Sequence, residues 1–244
     1  MPVLSGASGA EIAEKLSLIL DMDHVASESR RFPDGEGYVR IPLESIESVR
    51  SEEVILVSNT FPDSGIMQTL LLLGAIRDVR RGDLSSLKRD WEGDTEDVGP
   101  GVFLAIPYYG YARQDKRFSV GESISAKLVA EVLSKYCDGI AILDLHAPEV
   151  LEGIDVPIEY VSSMPEIAER LQDKVSPDFI LSPDKGAISR ATEVASLIGC
   201  DFSYLEKTRI DAYTIEHTPK DLDVSGKIVA IVDDMISTCL LYTS

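Results

Sequence analysis

Residues 228–238 read IVAIVDDMIST, and this stretch decides the fold. Five apolar residues predict a short buried strand, and two acids, Asp233 and Asp234, follow it directly. A strand that is apolar throughout is typical of a parallel sheet, because helices cover both faces of such a sheet. Adjacent carboxylates at its end repel each other, so we expect a cation or hydroxyl donors, such as a sugar diol, to lie against them.

The same pattern recurs along the chain. Strand-like segments lie at 52–60, 102–110, 139–146 and 178–186, and helix-like segments lie at 65–79, 122–136, 163–175 and 187–200. This alternation predicts the α/β class, with parallel sheets flanked by helices. The charged, glycine-containing segment 80–101 predicts a surface loop. A boundary near residue 160 divides the chain into 1–160 and 161–244, and their shared rhythm predicts two similar domains.

Composition narrows the class of protein. The chain has 244 residues, 44% of them hydrophobic, and a formal net charge of −19, which argues against broad nucleic-acid binding. No apolar run reaches the ~18 residues of a membrane span, and the N-terminus lacks the pattern of a signal peptide. Cys137, Cys200 and Cys239 are odd in number and scattered. We therefore expect a cytoplasmic protein with neither membrane nor nucleic acid as a partner.

Ligands of parallel α/β sheets bind beyond the carboxyl ends of the strands, so the residues that follow each strand matter most. Ionisable side chains stand at the ends of four predicted strands. In chain order, the four groups are Arg113, Lys116 and Arg117; Asp144 and His146; Asp184; and Asp233 and Asp234. Arginine can grip a phosphate with its planar fork. Taken singly, the cationic loop could be merely solvated, His146 an ordinary half-buried histidine, and Asp184 a helix cap.

Two further pairs suit an anion. Lys207 and Arg209 are one residue apart, so on an extended segment both would face the same side. An exposed basic pair is the alternative. Ser237 and Thr238 begin a loop of small residues after the acids, where backbone N–H groups could hold a phosphate.

Six motifs in order along the chain carry a family resemblance. They are RFPDGE (31–36), PYYGYARQDKRF (107–118), DLHAPE (144–149), SPDKGA (182–187), EKTR (206–209) and VDDMIST (232–238). The set resembles the ribose-phosphate pyrophosphokinase family, in its archaeal type. The resemblance implies two tandem phosphoribosyltransferase-like domains and a magnesium-dependent reaction. The pyrophosphoryl group of ATP would pass to the 1-hydroxyl of ribose 5-phosphate, giving phosphoribosyl pyrophosphate and AMP for nucleotide biosynthesis.

The resemblance also implies roles for single residues. ATP would be bound by Phe32, Asp34, Gly35, Glu36, Arg113 and Gln114. The first four would reach it across a subunit contact, so at least a homodimer is expected. Mg²⁺ would be held by His146 and Asp184. Lys207 and Arg209 would be catalytic, on a mobile loop. Ribose 5-phosphate would be bound by Arg209, Asp233, Asp234, Ser237 and Thr238.

The resemblance breaks after Thr238. The family continues there with a Gly-Gly-Thr turn, whereas Cys239, Leu240 and Leu241 follow here. We expect a truncated or frame-shifted product with an incomplete second domain, weak affinity for ribose 5-phosphate and a loss of activity. Two alternatives stay open: a non-catalytic relative that binds nucleotide and regulates a partner, and a single phosphoribosyltransferase, which leaves FPDGE and YARQDKRF unexplained.

Overall fold

A computed structural model describes residues 1–81, 99–209, 215–219 and 224–235. Contacts divide the chain into two units, Met1–Val161 and Ser162–Ser244. The strands of the first unit are β1 (Val3–Ser5), β2 (His24–Ala26), β3 (Glu28–Arg31), β4 (Gly37–Arg40), β5 (Val54–Val57), β6 (Val102–Ile106), β7 (Gly139–Leu143) and β8 (Ile158–Val161). Its α-helices are α1 (Ala10–Leu20), α2 (Ile46–Ser51), α3 (Asp63–Arg81) and α4 (Ser125–Leu133).

The first unit is built on a six-stranded parallel sheet in the order β2-β1-β5-β6-β7-β8. Its core joins strand side chains such as Leu56, Leu104 and Ile142 to Leu72 and Ile76 of α3. All five are essentially inaccessible to solvent. Because every strand runs the same way, the loops that follow the strands emerge at one edge of the sheet. The strands β3 and β4 form a separate antiparallel hairpin.

The second unit contains α5 (Met164–Lys174), β9 (Phe179–Ser182), α6 (Ile188–Ile198), β10 (Asp201–Arg209), β11 (Ile215–Pro219) and β12 (Val229–Ile231). Its sheet has the order β11-β10-β9-β12, and β9 is parallel to both β10 and β12. Within the described part of this unit, only the β10–β11 pair is antiparallel. Met164, Ile180, Val194 and Val232 form the centre of its core. The loops after β9 and β12 therefore emerge side by side.

The predicted α/β alternation is confirmed, and the differences lie at element boundaries and near the N-terminus. Helix α3 continues through Arg81, so the expected surface loop at 80–101 begins too early, and 82–98 lies outside the described residues. Ser163 stands at the N-cap of α5, and Pro165 lies in its first turn. The strands before residue 51 were not predicted, because three or four residues are too few for a periodic pattern.

Candidate functional site

Asn59 joins three loops at the carboxyl edge of the six-stranded sheet. Its side-chain nitrogen donates to the carbonyl of Ser8 at 2.6 Å, and its side-chain oxygen accepts from the backbone N–H of Tyr108 at 2.9 Å. Its own backbone N–H donates to the Ser8 hydroxyl at 3.3 Å. Since Ser8 follows β1, Asn59 follows β5 and Tyr108 follows β6, one amide side chain holds three strand ends together.

Thr60 adds a second connection between the loops after β5 and β6. Its hydroxyl accepts from the N–H of Gly110 at 2.7 Å, and its backbone N–H donates to the carbonyl of Tyr108 at 3.1 Å. Gly110 packs so closely that a Cβ there would overlap the carbonyl oxygen of Thr60. The start of the loop that carries the predicted ATP-binding residues Arg113 and Gln114 is therefore fixed. Arg113 itself is exposed, and Gln114 is half-buried.

The hairpin turn presents the other predicted ATP-binding residues, Phe32, Asp34, Gly35 and Glu36, which are all exposed. Gly35 has a φ of 97°, in the region that favours glycine, and its N–H donates to the carbonyl of Phe32 at 2.9 Å. The Asp34 carboxylate accepts from the N–H of Glu36 at 3.0 Å. These bonds make the turn a defined structure, with Phe32, Asp34 and Glu36 accessible on its surface.

Arg30 stiffens the same hairpin. Its guanidinium lies 5.0 Å from the ring centre of Phe32 and 4.4 Å from that of Tyr38, within the range of cation–π attraction. The two rings meet edge to face at 5.8 Å. A cavity of about 560 Å³ lies between the hairpin and α3, with Glu36, Gln68 and Leu71 among its walls. Its volume is in the range of small-molecule sites.

The loop that follows β7 begins at the same sheet edge as the loop that carries Arg113, because β6 and β7 are adjacent and parallel. Asp144 has a φ of 47°, an uncommon value for a residue with a side chain. This turn buries Leu145 and leaves His146 exposed. The first unit thus gathers Arg113, Gln114 and His146 at one edge.

The second unit gathers carboxylates at the edge formed by β9 and β12. Asp184 follows β9, and its Oδ1 accepts from the N–H of Gly186 at 2.8 Å and of Ala187 at 3.3 Å. These amides fix the orientation of the carboxylate just before α6. Asp184 is therefore not the N-cap of α6, which is Ala187, and its carboxylate instead holds the turn that precedes the helix.

Asp233 and Asp234 follow β12 as the sequence predicted, but they have different surroundings. The Asp234 carboxylate lies 3.3 Å from Nη2 of Arg190 on α6, and both side chains are largely buried. Burial, reinforced by a hydrogen bond to Asp234 and by the negative charges of Asp234 and Asp184, raises the pKa of Asp233 to about 6. Two effects therefore relieve the repulsion between the two carboxylates. The Arg190 guanidinium offsets the charge of Asp234, and the raised pKa of Asp233 favours its neutral form.

Lys207 and Arg209 lie near the end of β10, opposite His217 and Ile215 of β11. The backbone there is an extended strand, rather than the loop that the resemblance implied. That Lys207 and Arg209 face one anion stays a prediction. Ser237 and Thr238 lie outside the described residues.

The donor set suits a magnesium ion that is bound mostly through its substrate. No group of three or more His, Cys, Asp or Glu side chains that could hold a metal occurs within the described ranges. Mg²⁺ usually takes one or two carboxylates and keeps waters or substrate phosphates, so a single oriented carboxylate such as Asp184 fits it. His146, in the first unit, carries a nitrogen donor, which Mg²⁺ favours less than oxygen.

Three interactions at these sheet edges were not predicted from the sequence. They are the hydrogen bonds of the Asn59 side chain, the ion pair of Arg190 with Asp234, and the hydrogen bond from Tyr111 to Asp63. The Tyr111 hydroxyl donates to Asp63 Oδ1 at 2.6 Å, and Tyr111 has a φ of 64°. Asn59 directly follows a predicted strand end, so the rule that ligands lie beyond strand ends was the signal available for it. Nothing local in the sequence marks Arg190 as a partner of Asp234.

Family models match both units. Residues 1–82 and 101–136 match the N-terminal domain of ribose phosphate pyrophosphokinase, and residues 164–240 match the phosphoribosyl transferase domain. A ribose-phosphate pyrophosphokinase from Methanothermobacter thermautotrophicus is 36% identical over 238 residues, covering 97% of this chain and 75% of that protein. One from Pyrococcus furiosus is 38% identical over 213 residues, covering 86% of this chain and 68% of that protein.

A solved structure agrees with these sequence matches. The crystal structure of phosphoribosylpyrophosphate synthetase from Mycobacterium smegmatis superposes with a TM-score of 0.70 at 26% identity, covering 95% of this chain and 70% of that one. The fold and the two matched domains define an α/β protein of the phosphoribosyltransferase type. The chain belongs to the ribose-phosphate pyrophosphokinase family. The family, the two-domain fold class and the enzyme class expected from the six motifs are confirmed.

Proposed function

We propose that this chain transfers the β,γ-pyrophosphoryl group of ATP to the 1-hydroxyl of ribose 5-phosphate, with weak affinity for the sugar phosphate and reduced activity, because Cys239, Leu240 and Leu241 replace the Gly-Gly-Thr turn of the family. The products are phosphoribosyl pyrophosphate and AMP, which serve nucleotide biosynthesis. The observation that carries the proposal is the group of carboxylates Asp184, Asp233 and Asp234 after β9 and β12, in a chain whose two units match the domains of this family. We also propose that the domains divide near residue 160.

The sugar site is the part that the second unit supports best. Asp233 and Asp234 would accept hydrogen bonds from the ribose hydroxyls, and Arg190 holds the Asp234 carboxylate in place. Because the pKa of Asp233 is raised to about 6, its carboxyl group is a strong hydrogen-bond acceptor once ionised. Ser237, Thr238 and Arg209 complete this proposed ribose 5-phosphate site.

The nucleotide would be held by residues of the first unit. Arg113 and Gln114 would contact ATP from the loop after β6. The exposed hairpin turn would hold the adenine of an ATP molecule bound to a neighbouring subunit, through Phe32, Asp34, Gly35 and Glu36. The active form would therefore be at least a homodimer. An aromatic ring beside carboxylates suits adenine, because the ring stacks on the base and the acids accept from its amino group.

The transfer forms a bond from the ribose O1 to the β-phosphorus and breaks the bond from that phosphorus to the oxygen kept by AMP. The 1-hydroxyl gives up its proton, which passes to water, and AMP leaves with the bridging oxygen on its phosphate. Lys207 and Arg209 would stabilise the charge that spreads over the phosphate oxygens, and positioning would supply much of the remaining rate. His146 and Asp184 would hold Mg²⁺, which neutralises phosphate charge when bound.

No helix in the described part of the chain combines the length and apolarity needed to cross a membrane. We propose a cytoplasmic location, without nucleic-acid or membrane partners. Of the described cysteines, Cys137 and Cys200 are both free thiols. Burial raises the pKa of the Cys137 thiol to about 12, which makes it a poor nucleophile. A cytoplasmic site would suit such unpaired thiols.

The test is AMP release from ATP and Mg²⁺, measured with and without ribose 5-phosphate. The expected result is AMP only when the sugar phosphate is present, together with phosphoribosyl pyrophosphate in equal amount. Lys207→Ala and Arg209→Ala should each lower kcat at least about 100-fold. Nucleotide binding without AMP release would instead support a non-catalytic relative that binds nucleotide, and AMP release without the sugar phosphate would contradict the proposal.

A further inference from the structure

The loop between β6 and α4 concentrates positive charge on an acidic protein. Arg113, Lys116 and Arg117 lie within five positions of one another and are all exposed, while the chain as a whole carries a net charge of −19. Exposed arginine and lysine side chains have many rotamers, and ordering them on a phosphate costs entropy. A loop that already fixes the backbone beneath them lowers this cost.

Glu122 fixes one side of this loop. Its Oε2 accepts from the backbone N–H of Phe118 at 2.6 Å and from that of Ser119 at 2.9 Å. Its carbonyl oxygen accepts from Nε of Arg117 at 3.0 Å, and its own N–H donates to the carbonyl of Ser119 at 3.3 Å. One glutamate therefore closes the segment 117–122 into a ring of hydrogen bonds.

The Glu122 carboxylate is ionised under ordinary conditions. The backbone N–H groups of Ser119 and Phe118 lower its pKa, and the side chain of Gln114 lowers it further. Hydrogen bonds to a carboxylate are shorter and about twice as strong as those between neutral groups. The hydrogen bonds of the ring are therefore stronger with a charged Glu122 carboxylate than with a neutral acceptor of the same shape.

Gln114 and Tyr111 fix the other side of the loop. The Gln114 N–H donates to the carbonyl of Tyr111 at 2.9 Å, and its side chain donates to the carbonyl of Lys116 at 3.2 Å. The Gln114 carbonyl accepts from Ala126 N–H of α4 at 3.3 Å. Arg113, Lys116 and Arg117 thus extend from a segment that is fastened at both ends.

We propose that Glu122 is a positioning residue for ATP: it holds the backbone that directs Arg113, Lys116 and Arg117 toward the phosphate groups. The inference rests on the proposed function, because it takes ATP as the anion. Among the described residues, the Arg117 guanidinium uses only Nε for the ring. Its two terminal nitrogens keep their hydrogens for a phosphate.

Charge alone predicts the opposite of this role. A carboxylate beside the triphosphate repels it, so removing Glu122 would tighten ATP binding if the ring did not matter. Positioning predicts weaker binding on the same substitution. The sign of the change in affinity therefore separates the two effects.

The experiment measures steady-state KM and kcat and the calorimetric Kd of ATP with Mg²⁺ for four full-length proteins: the wild type, Glu122→Ala, Glu122→Gln and the control Glu131→Gln. Glu131 is an exposed glutamate on α4. Glu122→Ala should raise KM and Kd for ATP about tenfold, the equivalent of one charge-assisted hydrogen bond. Glu122→Gln keeps an acceptor oxygen without the charge, so it should raise them about threefold.

The kcat, the KM for ribose 5-phosphate and the Glu131→Gln control should change less than about twofold. Hydrogen exchange at the amides of Phe118 and Ser119 should become faster in Glu122→Ala while the melting temperature stays near that of the wild type, which separates loosening of the loop from unfolding. Unchanged or tighter ATP binding by Glu122→Ala, or unchanged exchange, would overturn the positioning role. A wild type that does not bind ATP would overturn the proposed function, and the positioning role with it.

Discussion

The guanidinium of Arg190 lies 3.3 Å from the carboxylate of Asp234, and this ion pair joins helix α6 to the end of strand β12. Only 13% of the arginine side chain and 6% of the aspartate side chain are exposed, so water screens the pair little. Asp234 is one of two adjacent acids proposed to bind ribose. The pair therefore links the stability of the second unit to its proposed sugar site.

Removing the arginine should destabilise the protein strongly. Arg190→Met leaves the buried Asp234 carboxylate without this guanidinium, which typically costs about 3 kcal/mol of unfolding free energy. Urea denaturation measures the change. The double variant Arg190→Met with Asp234→Asn should recover most of the loss, and Arg170→Met, at an exposed arginine of α5, should change stability by less than about 0.5 kcal/mol. Simple additivity of the two substitutions would contradict the pairing.

Asp233 should make stability depend on pH in mildly acidic solution. Its pKa is raised from 3.8 to about 6, so the folded protein holds this proton more tightly than the unfolded chain does. The contribution of Asp233 to stability therefore falls as the pH rises through that interval, and stays at its lower level above it. Asp233→Asn does not ionise, so its melting temperature relative to the wild type should rise between about pH 4 and about pH 7.

A matched control for this titration is Asp173→Asn, at an exposed aspartate of α5. Its melting temperature relative to the wild type should not follow the same curve. A constant difference between Asp233→Asn and the wild type at both pH values would show that the environment of Asp233 does not favour its proton. Asp233→Asn should also bind ribose 5-phosphate more weakly, because an amide accepts hydrogen bonds less strongly than a carboxylate.

Gly110 should not tolerate a side chain. An added Cβ would overlap the backbone carbonyl of Thr60. This carbonyl cannot shift easily, because hydrogen bonds hold Thr60 to the same loop. Gly110→Ala should therefore cost about 1–3 kcal/mol of unfolding free energy. The control is Gly74→Ala in α3, where a Cβ meets nothing within 4 Å. That substitution should stabilise the protein by about 0.5–1 kcal/mol, because alanine has the higher helix propensity. Equal effects of the two substitutions in denaturation would refute the close approach at Gly110.

Asn59 should be important both for stability and for ATP affinity. Asn59→Ala leaves the Ser8 carbonyl and the Tyr108 N–H without their side-chain partner, and we expect a loss of about 2 kcal/mol in a denaturant titration. The KM for ATP should rise, because the loop after β6 is no longer held to the other two. The control is Gln172→Ala, at an exposed position. If Asn59→Ala has the same KM for ATP as the wild type, the bridging role of Asn59 is contradicted.

Much of the architecture was predictable because it is local. A run such as Ile228-Val229-Ala230-Ile231-Val232 marks a buried strand by its own composition, and helices such as α5 follow from spacing and a proline in the first turn. The ionisable residues were found because the end of a parallel strand is a fixed place in the chain. The hairpin β3–β4 was not predicted, since its strands are short and largely exposed, and the RFPDGE motif pointed only to the residues of its turn.

The sequence by itself determined the family, the alternation of strands and helices after residue 51, and which carboxylates and cations stand at the strand ends. Those properties depend on neighbours along the chain. Tertiary structure alone decided that Arg190 pairs with Asp234, that Asn59 joins the loops after three strands, and that burial raises the pKa of Asp233. These contacts join residues far apart in sequence, and their strength comes from exclusion of water, which no local pattern encodes.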